Sequence, residues 1–103
     1  MTNEQFKLEF EKAVLRSKNT LIKKEKEYSE GSDRFDQFHK VALMNSVSPM
    51  EALWGMASKH ITSIASMTQD PTMYNLKTWR EKIGDLRNYL FLAEALLIDL
   101  EVK

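Results

Sequence analysis

The chain has no cysteine. That removes disulfides, thiolate nucleophiles and cysteine-based zinc sites together, and a reducing compartment is the simplest setting for it. Glycine and proline are scarce, at three and two residues. No glycine-rich phosphate loop, serine nucleophile elbow, His-Glu-x-x-His pair or zinc-finger spacing can be assembled from what is present. Charge of one sign is also missing. Lys plus Arg and Asp plus Glu both number 15, for a net charge of zero, so bulk electrostatics draws the chain neither to nucleic acid nor to a membrane surface. No apolar run approaches the ~20 residues of a membrane span. The start, Met1-Thr2-Asn3-Glu4-Gln5, is polar with no apolar signal core behind it. A cytoplasmic protein without a membrane partner is the expectation.

What the 103 residues do contain is helical periodicity without strand-like alternation. They predict one helical domain over residues 1–103. Thr2 and Gln5 have capping-box spacing, and Phe6, Phe10, Ala13, Val14, Ser17 and Leu21 mark one face of a long first helix. Glu30-Gly31-Ser32 ends it. A shorter second helix from Asp33 to about Met44 carries Phe35, Phe38, Val41 and Ala42. Ser48-Pro49-Met50-Glu51 is the strongest helix start, with an N-cap, a proline at the first helical position and the glutamate that completes the box. The third helix keeps Leu53, Ala57, His60, Ile61, Ile64 and Met67 on one side. Asn75 caps a fourth, predicted to cover Trp79–Leu97. Short connections favour antiparallel neighbours, hence an all-α, compact antiparallel four-helix arrangement.

The fourth helix is apolar almost all round from Tyr89 to Leu100. Trp79, Ile83, Leu86, Leu90, Ala93 and Leu97 form a main stripe, and Phe91, Ala95 and Ile98 lie opposite it. A helix on the surface of a small monomer buries one side only. Either its neighbours wrap it or copies of the chain meet on it; the second, a homo-oligomer through the last helix, is the expectation.

Next to the main stripe run Glu81, Asp85 and Asn88 at helical spacing. These are short acceptors predicted to sit close to the core, where they suit a cation or a donor-rich ligand. His60 falls on the apolar face of the third helix. It reads equally as a core histidine held by one hydrogen bond or as a partner of Asp85 and Glu81 across the bundle. Glu27 and Glu30 form a Glu-x-x-Glu pair. Carboxylates so spaced share a helix face and suit Mg²⁺, a hard cation that takes oxygen ligands. Asp33 is an N-cap candidate, and Arg34 either binds phosphate or pairs with Asp33 or Asp36.

Lys26-Glu27-Tyr28, Asp33-Arg34-Phe35-Asp36-Gln37-Phe38, Ser48-Pro49 before a helix with Lys59-His60, and Trp79-x-Glu81-Lys82-Ile83-x-Asp85-x-x-Asn88-Tyr89-Leu90 follow one another in order. This set resembles small, mostly phage-borne proteins of the nucleotide-modification-associated type. More distantly, it is similar to the MazG-type all-α nucleoside triphosphate pyrophosphohydrolases. The resemblance to the second group implies an oligomeric bundle that holds Mg²⁺ on Glu27 with Glu30 and on Glu81 with Asp85, and that cleaves nucleoside triphosphates to monophosphate and pyrophosphate. The second pair here is Glu-x-x-x-Asp, one residue longer than the Glu-x-x-Asp of that group. The resemblance to the phage type implies a polar pocket shared by Asp33, Arg34, Lys59, His60, Glu81, Asp85 and Asn88, and a place in the host cytoplasm.

Two functions follow. In one the chain binds or processes a nucleotide, with metal on Glu81, Asp85 and Glu27, phosphate on Arg34 and Lys59, and His60 or Asp85 in proton transfer. In the other it is a non-enzymatic phage protein that binds and modulates a host protein through the apolar last helix.

Overall fold

Hydrogen bonds within four residues set the helix starts. Thr2 Oγ1 accepts from the Gln5 amide at 3.1 Å while Gln5 Oε1 accepts from the Thr2 amide at 2.7 Å. Ser48 and Glu51 repeat the reciprocal pair at 3.1 and 3.2 Å, with Pro49 at the first helical position. Asn75 Oδ1 accepts from the Thr78 amide at 2.8 Å. All three starts are the ones the sequence predicts.

The structure, a computed structural model, describes residues 1–23 and 33–103. Helix α1 spans Asn3–Lys23, α2 Asp36–Asn45, α3 Pro49–Met67 and α4 Leu76–Asp99, with a 3-10 turn at Pro71–Met73 before α4. No strand occurs among the described residues, so the fold is all-α. Glu27, Glu30 and the Lys26-Glu27-Tyr28 segment lie outside the described residues. None of the described helices is long and apolar enough to cross a membrane. The chain divides into two compact units, Met1–Ser32 with α1 and Asp33–Lys103 with the other three helices.

In the second unit, α2 starts three residues later than the sequence suggests. Asp33 Oδ1 accepts from the Phe35 amide at 2.9 Å, and the Asp36 amide donates to the Asp33 carbonyl at 3.2 Å. A side chain that closes its own turn delays the helix. At the other end Ser46 takes a left-handed conformation, φ 55° and ψ 42°, and the Val47 amide reaches back to the Ala42 carbonyl at 3.0 Å. Helix α4 stops the same way, with Glu101 at φ 61° and the Val102 amide on the Leu97 carbonyl at 3.0 Å. This is the six-to-one bond that usually recruits glycine.

Phe35, Phe38, Leu53, Ala93 and Leu96 form the core of the unit, with Met50, Met56, Tyr89 and Leu92 packed against it. Leu53, near the start of α3, shares this cluster with Ala93 and Leu96, near the end of α4. Further along α3, His60 meets Asp85 and Tyr89, which come earlier in α4. The two helices therefore run antiparallel, and α2 packs on the α3 side of the pair.

The structure corrects the rotation of α4. Ile83 and Leu90, assigned to the main apolar stripe, are exposed, whereas Ala93 of that stripe is buried, and the inward line runs through Tyr89, Leu92, Ala93 and Leu96. A helix apolar on most of its circumference has two neighbouring rows that both satisfy the periodicity. The facing side chains of α2 and α3 choose between them.

Candidate functional site

The buried line of α4 continues toward its start as polar residues. Asp85, Asn88 and Tyr89 are three and four residues apart, so they share a face. That face turns to His60 on α3. His60 Nδ1 is 3.9 Å from Asp85 Oδ2, too long for a hydrogen bond but within reach as a charge pair when the imidazole is protonated. The Tyr89 ring lies 5.3 Å from the imidazole, tilted by 36°. The His60 side chain is 25% exposed and that of Asp85 54%. The histidine is thus held between the helices, while the carboxylate reaches it from the rim.

Asn88 is the unusual member. Its Oδ1 is buried, and no donor among the described residues reaches it. A buried acceptor left unpaired costs about 1–3 kcal/mol. Asn88 therefore carries a cost to stability at that one atom.

The other sequence-predicted residues distribute as follows. Glu81 is exposed one turn before Asp85, on the same side of α4, and Lys59 is exposed beside His60. Glu81 shares the row's side of α4, but neither it nor Asp85 is buried against the core. Asp33 and Arg34 stand in the turn before α2. Phe35 next to them packs in the cluster with Ala93 and Leu96, about two turns along α4 from Asp85. Asp33 is engaged by the Phe35 amide and lies 3.8 Å from His39 Nε2. His39 therefore has a carboxylate within reach. Beside it, Lys40 Nζ sits 2.8 Å from Asp36 Oδ2, and the hydrogen bond and charge of that carboxylate hold the ammonium above the usual lysine value.

Among the described residues, no three His, Asp or Glu side chains come together as a metal-holding group. Asp85 and Glu81 supply two carboxylates on one helix face, and Glu27 falls outside the described residues. Tyr89 is the member that sequence reading missed. Its signal was the four-residue step from Asp85, masked because a tyrosine there also reads as core. Beyond the row, the Trp79 indole donates to the Pro71 carbonyl at 2.8 Å, with the Tyr74 ring edge-on at 6.2 Å. This fastens the 3-10 turn to the first turns of α4.

No family model matches the chain, nor does any curated protein or solved structure.

Proposed function

We propose that the chain is a nucleotide-binding or nucleotide-processing protein whose ligand site is the polar row between α3 and α4. The observation that carries this reading is the buried, unpaired Asn88 Oδ1 beside the His60–Asp85 pair. A carboxamide offers two donors and an acceptor on one plane, the pattern that reads a nucleobase edge or a ribose hydroxyl. The Tyr89 ring and the imidazole, tilted by 36° to each other, give two ring faces next to it. Lys59 supplies positive charge for phosphate, and His60 holds or moves a proton at its ring nitrogens. Asp33 and Arg34 take no part in this site. Mg²⁺ would arrive with a triphosphate, and Asp85 and Glu81 are the described carboxylates it would meet; no step is assigned to it. The same reading has copies of the chain joined through α4, because that helix leaves large apolar side chains exposed.

Thermal-shift and calorimetric titration against nucleoside triphosphates, with and without Mg²⁺, test the reading directly. A ligand at 100 times its Kd stabilises the native state by about 2.7 kcal/mol. A rise in melting temperature that Asn88→Leu abolishes supports the site. No response to any nucleotide in either condition sinks it and leaves a non-enzymatic interaction protein as the better reading.

A further inference from the structure

On the side of α4 turned away from the core, Ile83, Leu90, Phe91 and Ile98 are 45%, 52%, 46% and 73% exposed. Four large apolar side chains along one face of a 24-residue helix, about 36 Å long, make a patch that a folded protein rarely leaves bare. Charges follow the same face at seven-residue steps, Arg80, Arg87 and Glu94, with Glu101 past the helix end. The two basic residues come first and the two acidic ones last.

We infer that this face pairs with the same face of a second copy, with the two α4 helices antiparallel and the two-fold axis passing between Leu90 and Phe91. This rests on the reading that the chain self-associates through α4, and it fixes the direction and register of the contact. In that register Leu90 of one copy lies level with Phe91 of the other, and Ile83 with Ile98. Arg87 comes level with Glu94 of the second copy, on the same side of the seam. Glu101 lies past the helix end, so the Arg87–Glu94 match carries the register. A parallel pair would instead set Arg87 beside Arg87 and Glu94 beside Glu94, like against like. The charge order along the helix therefore selects the antiparallel pair, and a two-fold contact of this kind uses one patch twice. Both arginines also interact within their own chain. A guanidinium with five donors can keep such a partner and accept a second carboxylate.

The absence of cysteine makes the test clean, because every introduced thiol is the only one in its chain. For the 103-residue chain, light scattering should give twice its 12.0 kDa at tens of micromolar. Under mild oxidation Leu90→Cys should cross-link to itself. Ile83→Cys and Ile98→Cys should each stay single but cross-link when mixed, since those positions are about 22 Å apart along a helix and a disulfide needs Cα atoms within about 7 Å. Glu94→Arg should weaken association at least tenfold with helix content unchanged, and adding Arg87→Glu should restore it. A disulfide in Ile83→Cys alone would overturn the antiparallel register while leaving self-association standing. Wild-type protein that stays at single-chain mass would overturn both, and neither result bears on nucleotide binding.

Discussion

His60 on α3 and Asp85 on α4 approach to 3.9 Å with the carboxylate more than half exposed and the imidazole mostly enclosed. That asymmetry decides what the pair is worth. A carboxylate with this much water around it gains little from a neighbouring charge, about 0–1 kcal/mol in exposed pairs. It also suffers no large penalty from burial. Asp85→Asn should therefore change stability by less than about 1 kcal/mol in denaturant melts. If the row binds a nucleotide, the same change should lower affinity tenfold or more in calorimetric titration. A loss of stability well above 1 kcal/mol would instead make Asp85 a structural partner.

Asn88→Leu should act in the opposite sense. It removes a buried acceptor that nothing described satisfies and puts a bulkier branched side chain in its place. The free protein should gain on the order of 1 kcal/mol, which in a domain of this size raises the melting temperature by roughly 4–8 °C. A fall in melting temperature would show that the amide has a donor in the folded chain.

Truncation separates the two sides of α4. Leu96 and Leu53 are almost completely buried, so either one changed to alanine should cost about 2–5 kcal/mol. Ile83→Ala on the exposed side should cost less than about 0.5 kcal/mol at concentrations where the chain is monomeric. Equal effects at Leu96 and Ile83 would refute the rotation of α4 described above.

The helix stops offer a gain. Ser46 holds a left-handed conformation that glycine adopts without strain. Ser46→Gly should stabilise the second unit by a few tenths of a kcal/mol to about 1 kcal/mol. Ser48→Ala two residues later should cost about 0.5–2 kcal/mol through loss of the N-cap. Urea midpoints moving in the same direction for both would contradict the cap geometry.

Much of this was legible in the chain where the information is local. Thr2 with Gln5, Ser48 with Glu51 and Asn75 before α4 need only four residues to state their geometry, and all three form as read. The buried positions of α2 and α3, including Phe38, Leu53, Ala57 and Met67, also followed from spacing, because those helices have one clear apolar face. Helix α4 does not. With apolar residues nearly all round, its rotation depended on partners distant in sequence, so Ile83 and Leu90 were assigned inward and point out. The candidate site was half legible for the same reason. His60 and Asp85 were paired across the helices, whereas Asp33 and Arg34, grouped with them by resemblance, sit two turns away beside the Phe35 cluster.

Trp79 is more than a strut between a turn and a helix. Its indole, hydrogen-bonded to Pro71 and edged by Tyr74, has a defined surrounding, while Trp54 stands half in solvent. A chain with Trp54→Phe carries one tryptophan, held at the Pro71 turn. Its emission colour and lifetime would then report loosening of the Pro71 turn and of the start of α4, without any attached dye.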